Sequence, residues 1–178
     1  MRALVVYASK YGATAGIAER IAATMTAAGV EATAVPAGEV TTVPEDGAVV
    51  LGSAVYLGAW LKPAKLFVSR QHDALVQRPV WLFSSGPLPG AAVPDQVGEG
   101  SPASDPKGIQ ELVDDLGARG HVVFDGKLDP AQLKGRDRLI RMTPAGKGLL
   151  PEVDGRDWDA IDSWARAIVA ELSGPSSP

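Results

Sequence analysis

The apolar positions of this chain follow two rhythms in alternation. Short runs rich in valine and alanine give way to longer stretches in which apolar residues return every three or four positions. The short runs are Ala3 to Tyr7, Glu31 to Val35, Ala48 to Leu51, Pro79 to Phe83 and His121 to Phe124. In the first, Ala3 to Tyr7, the absence of polar alternation marks a strand covered on both faces. Gly52 is expected to stop the third. Between the runs, Ile17, Ile21 and Met25 recur at four-residue spacing from Thr14, and Gly29 ends that helix. A second helix is predicted from Pro63 to about His72, with the proline tolerated in its first turn. Asp105 and Pro106, a cap followed by a proline, announce a helix carrying Ile109, Leu112, Val113 and Leu116. The last helix is capped by Asp157 and aligns Ile161, Trp164, Ala165, Ile168, Val169 and Leu172.

Strands alternating with helices predict an α/β fold, a doubly wound parallel sheet of five strands in the order 2-1-3-4-5 with helices on both sides. One domain over residues 1–172 is expected, with Ser173 to Pro178 as a frayed tail. In that order, ligands bind beyond the carboxyl ends of the strands, where the first and third meet. The proline-rich stretch from Gly86 to Pro106 is either a functional flap or a mobile loop.

Three loops should converge at that edge. The first is Ser9, Lys10, Tyr11, Gly12, Ala13 and Thr14. A phosphate there would face unpaired N–H groups and the dipole of the first helix, with hydroxyls from Ser9 and Thr14. Lys10 points either at that charge or at water. In the plainer reading Ser9 is a turn residue and Thr14 a helix cap. The second loop, Ser53, Ala54, Val55, Tyr56, Leu57, Gly58 and Trp60, sets two aromatics among small residues, as a planar ring system requires. Trp60 could equally pack as core. The third, Ser84, Ser85 and Gly86, would reach the same ring from its other side.

Composition narrows the chemistry. The 178 residues include no cysteine, which excludes disulfides, thiol catalysis, iron–sulfur clusters and cysteine-bound zinc. His72 and His121 are far apart and neither begins a metal-binding motif. No metal is expected, so any electron traffic needs an organic cofactor. A net charge of −4 argues against nucleic acid as a partner. No apolar run reaches the roughly 18 residues needed to cross a bilayer, and the first residues read as a strand, so a soluble cytoplasmic protein is expected. The motifs of P-loop ATPases and nucleophile-elbow hydrolases are absent. Phospho-accepting receivers need acids where this chain has Tyr7-Ala8-Ser9 and Gly52-Ser53.

The segment "SKYGAT" resembles the phosphate loop of flavodoxins, with the pattern T/S-x-T-G-x-T, and "GSAVYLGAWLKPAKLFV" resembles their second flavin loop and following helix. Through "FDGKLDP" and "RDWDAIDSWARAI" the chain is similar to relatives of the menaquinone-dependent protoporphyrinogen dehydrogenases. The resemblance implies a flavodoxin-like fold and FMN as cofactor. Residues 9–14 would hold the phosphate, and 53–58 with 84–86 would flank the isoalloxazine. Tyr11 and Ala13 stand where flavodoxins carry threonine and asparagine, so a flavodoxin-like interaction module that has lost FMN is a further alternative.

With FMN bound, the implied function is an oxidoreductase or electron carrier, or more narrowly a quinone-dependent protoporphyrinogen IX dehydrogenase. The partner at the flavin edge would be a redox protein, a quinone or a small molecule. No side chain in the loops stands out as an obligatory general base. The segment 127–147 concentrates Lys127, Lys134, Arg136, Arg138, Arg141 and Lys147 against Asp129 and Asp137. It reads either as a basic patch for peripheral contact with the inner face of a membrane, or as a solvated helical face over a small satellite of core.

Overall fold

A computed structural model describes residues 1–86, 88–89 and 106–174. The first strand, β1 (Arg2–Ala8), sends successive side chains to opposite faces. Val5 is buried with the helix α1 (Ala13–Ala27), whose Ile17, Ile21 and Met25 form the predicted stripe. Its neighbour Val6 is buried on the other side, in a separate core. The remaining elements are β2 (Glu31–Pro36), β3 (Ala48–Tyr56), β4 (Ala59–Trp60), α2 (Lys62–Leu75), β5 (Val80–Ser85), α3 (Ile109–Leu116) and β6 (His121–Phe124). They are followed by β7 (Lys127–Leu128), α4 (Gly135–Arg141), α5 (Pro144–Leu149), β8 (Val153–Asp154) and α6 (Trp158–Ser173).

The long strands pair in parallel in the order β2-β1-β3-β5-β6, the predicted doubly wound order. Val5 stands opposite Ala34 on one side and Val50 on the other, and Leu51 stands opposite Leu82. Helices α1 and α6 cover one face of the sheet. Residues of α2 and α3, with Val40 and Val43, cover the other. The result is three layers, each face of the sheet sealed by apolar side chains.

Several details differ from the sequence expectation. Gly52 does not end its strand, because β3 continues to Tyr56 and the Phe83 ring lies over the glycine. Gly108, with φ +76°, occupies the N-cap of α3, so the helix begins later than Asp105-Pro106 suggests. Ser173 is the last residue of α6 rather than part of a tail. Segment 127–147 is a strand, a 3-10 turn at Pro130–Gln132 and two short helices, not one helical face. Asp105 and most of the 86–106 stretch lie outside the described residues, as do residues 175–178.

Helices α1 and α6 are also joined by charge. Asp162 on α6 is buried and accepts from Arg20 Nε and Nη2, each at 2.7 Å, and from Thr24 Oγ1 at 2.7 Å. The Arg20 guanidinium and the Thr24 hydroxyl hold its carboxyl well below the usual aspartate range. A lowered folded-state value stabilises fully above the unfolded value of about 3.9, and that stabilisation is lost as pH falls further. Melting temperatures followed from about pH 6 to about pH 2.5 should therefore fall less steeply in Asp162→Asn than in the natural chain.

Candidate functional site

The carboxyl ends of β1, β3 and β5 lie side by side, with Ala8 opposite Ser53, and Ser53 opposite Ser84. After β1, Gly12 takes the left-handed conformation at φ +85° and serves as the N-cap of α1. Only a glycine takes that turn without strain, and it has no side chain to cap the helix. Its own N–H donates to Ser9 Oγ at 3.0 Å, closing the loop on itself. Thr14 is the second residue of α1, not its cap. Its side chain is 1% exposed, and Oγ1 has no hydrogen-bond partner. The N–H groups of Ala13, Thr14 and Ala15 precede the first intrahelical bond, from Gly16 N to Gly12 O. A buried hydroxyl without a partner is costly, and here it stands beside the positive end of a helix.

The second loop is a hairpin. Leu57 at φ +52° and Gly58 at φ +77° make the two-residue turn that joins β3 to antiparallel β4. Positive φ at both positions is what a tight hairpin of this hand requires. Leu57 projects into solvent, 86% exposed, while Ala54, Val55 and Tyr56 turn toward the cleft.

The structure gives several expected contacts to the core instead. Trp60 is buried against the α2 and α3 layer and donates from Nε1 to Ser84 Oγ at 2.7 Å. Ser84, fully buried, lies 2.8 Å from His121 Nε2. Ser53 is fully buried, accepting from Leu61 N at 3.0 Å and donating to Ala54 O at 2.8 Å. Each of these polar atoms is satisfied inward, so Ser53, Trp60 and Ser84 brace the loops from behind. Leu57, Gly58 and Gly12 likewise stand outside the cleft lining. Trp60→Phe should lower stability by about 1 kcal/mol in urea denaturation, because the Ser84 hydroxyl loses one hydrogen bond and keeps its contact with His121.

Asp137, counted in the sequence only among the charges of segment 127–147, belongs to the cleft. It lies in the first turn of α4 and is 4% exposed. Its Oδ2 accepts from Lys10 Nζ at 2.7 Å and from the Tyr11 hydroxyl, and its Oδ1 accepts from the Tyr56 hydroxyl at 2.7 Å. The Lys10 ammonium also sits 3.2 Å from the centroid of the Tyr56 ring, a cation–π contact. Burial pushes the Asp137 carboxyl up, but the three donors outweigh it and hold the group below its usual value. Burial likewise works to lower Lys10, and its bonds to Asp137 and Tyr56 overcome that and raise it. Tyr11 is raised by burial and by its bond to Asp137. One signal for Asp137 is present in the sequence: it is the only acid between Lys134 and Arg141.

Together these residues line a cleft that is open to solvent on one side. Ser9, Lys10, Tyr11, Ala13 and Thr14 line it from the first loop, and Ser85 and Gly86 from the third. Leu88, Gly126, Lys127, Leu128, Asp137 and Leu150 complete the wall, and none of them is among the expected site residues. The lining is mostly apolar, the start of α1 offers anion donors, and Lys10 is already engaged by Asp137.

Residues 4–143 match the family model of the flavodoxin domain. Among solved structures, a flavodoxin from the domain Archaea is 16% identical, with a TM-score of 0.58, over 98% of this chain and 100% of that one. Oxidised flavodoxin 1 from Bacillus cereus is 12% identical with a TM-score of 0.60, covering 97% of this chain and all of its own. The rubredoxin oxygen:oxidoreductase of Desulfovibrio gigas is 14% identical with a TM-score of 0.60, over 97% of this chain but 37% of that one. No curated protein matches the sequence. At these identities the structural likeness speaks for the fold.

Proposed function

This chain belongs to the flavodoxin-domain family, and we propose that it binds FMN in the cleft and transfers electrons through it. The observation that carries this reading is Thr14 Oγ1, buried and unpartnered in the first turn of α1, beside N–H groups that have no intrahelical acceptor. A phosphate ester supplies what that corner lacks. Thr14 would donate its hydroxyl proton. The first-turn N–H groups would bind the remaining oxygens, and Ser9 keeps a hydroxyl proton to donate while its oxygen holds Gly12. Ala54, Val55, Tyr56, Ser85 and Gly86 would receive the ring. Bound FMN supplies the redox chemistry, and the chain supplies orientation, exclusion of water and local charge.

The test is direct. Freshly purified protein should show flavin absorbance bands, and the apoprotein should quench FMN fluorescence to a stoichiometric end point. A colourless protein that leaves FMN fluorescence unchanged would instead support an interaction module that has lost its cofactor.

A finer reading, quinone-coupled oxidation of protoporphyrinogen IX, is supported by the outer face of α4. Leu139 in α4 and Met142 at its C-cap are 66% and 74% exposed, near the exposed Arg136 and Arg138, while Asp137 faces the cleft. Apolar side chains among cations suit an anionic membrane that carries an apolar acceptor. Among the described residues no helix is long and apolar enough to cross a membrane, and the proposed contact is peripheral. Porphyrin fluorescence should appear when substrate and quinone are both present. Flotation with anionic vesicles should weaken as salt is added. Silence in both assays would remove this reading and leave FMN binding in place.

A further inference from the structure

We propose that Asp137 is the positioning residue that latches the α4–α5 segment over the cofactor cleft, so that this segment must release for flavin to enter or leave. The argument starts from what does not hold the segment. Between residues 134 and 149 only Asp137 and Gly146 are buried, and the large apolar side chains Leu139 and Met142 face solvent. A stretch with so little apolar burial belongs to the part of a fold that opens locally at small cost. Its contact with the cleft is instead polar. Lys10 and Tyr11 lie 127 and 126 positions before Asp137 in the chain, and Tyr56 lies 81 before it. One carboxylate therefore ties the loop after β1 and the end of β3 to a helix from much later in the sequence.

The bond pattern makes the latch selective for charge. The Lys10 ammonium is held between the carboxylate and the Tyr56 ring, so its charge is satisfied within the protein. The phosphate corner at Thr14 and the first-turn N–H groups is left to a ligand. An asparagine at 137 has nearly the same shape, but an amide nitrogen in the place of Oδ2 would set donor against donor at Lys10, and either orientation loses the charge. An aspartate-to-glutamate change keeps the charge on a longer arm.

Limited tryptic digestion of the full chain, without flavin, reads the latch itself. The informative bonds follow Lys134 and Arg141, whose immediate neighbours the substitution does not alter. In Asp137→Asn they should be cut roughly tenfold faster or more, as expected when a charged hydrogen bond is lost. The bonds after Lys65 on α2 and Arg166 on α6 should keep their original rates. Asp137→Glu should restore part of the protection. Should Asp137→Asn not fold, Tyr11→Phe with Tyr56→Phe removes two donors, keeps the ion pair, and should show a smaller acceleration at the same two bonds. Unchanged cutting, or equal acceleration at every site, would overturn the latch.

The second measurement rests on the proposed FMN binding. Flavin release, followed by the recovery of its fluorescence on dilution, should accelerate in Asp137→Asn in step with the cutting at Lys134 and Arg141. Faster cutting with unchanged release would refute the gating role. If the natural chain binds no FMN, the digestion still decides whether the latch exists, and the cofactor reading falls by itself.

Discussion

Replacing Thr14 with valine is expected to weaken FMN binding roughly tenfold to a hundredfold while making the apoprotein more stable. The two effects have opposite signs because one hydroxyl plays two parts. In the free protein Thr14 Oγ1 is buried without a partner, and an unsatisfied polar group of that kind costs about 1–3 kcal/mol. Valine is nearly the same shape, is β-branched like threonine, and brings no polar atom, so apoprotein stability should rise by about 1 kcal/mol. With the ligand bound, the hydroxyl would donate to a charged oxygen, a bond typically worth about 1.5–3 kcal/mol, which sets the loss of affinity. Fluorescence titration and urea denaturation of the apoprotein measure the two sides. A variant that binds FMN as tightly as the natural chain would show that Thr14 is not a ligand, and the phosphate site would have to be sought elsewhere.

Gly52→Ala is expected to destabilise the fold by about 3 kcal/mol or more. A Cβ at this position would lie 2.0 Å from Phe83 Cζ and 2.1 Å from Cε1, inside the ring's own volume. Phe83 has little room to retreat. It is fully buried, and its ring packs 6.2 Å from Phe124 and 6.2 Å from Trp164, measured between centroids. The strand must therefore bend or the aromatic cluster must shift, and β3 pairs with both β1 and β5 at this point. Urea denaturation should show the loss, and Phe83→Leu in the same chain should recover part of it by vacating the space. A Gly52→Ala protein within about 0.5 kcal/mol of the natural one would mean that the ring does not lie where the structure places it.

Gly52 also shows where a local reading stops. Within "AVVLGSAVY" a glycine signals the end of a strand, because by itself it weakens extended structure. What keeps the strand going is a phenylalanine on the neighbouring strand, 31 positions later in the numbering, whose ring covers the gap. In sequence Trp60 stays open between ring wall and core for the same reason. Its partner Ser84 lies 24 residues away, and only the pairing of β3 with β5 brings it within reach of the indole. Asp137 reads locally as one acid among cations, since its three donors lie in two other loops.

Local pattern is enough to set the alternation of strands and helices, the order of the sheet and the loops that meet at its carboxyl edge. Hydrophobic periodicity and turn residues act over a few positions, and crossover handedness leaves few ways to assemble the pieces. Which polar side chains turn inward is settled later, when the layers pack. Ser53, Ser84 and Trp60 then brace the core, Thr14 is left without a partner, and Asp137 crosses 127 residues to meet Lys10. A buried polar atom must find its complement wherever the packed chain presents one, and that partner has no fixed place along the sequence.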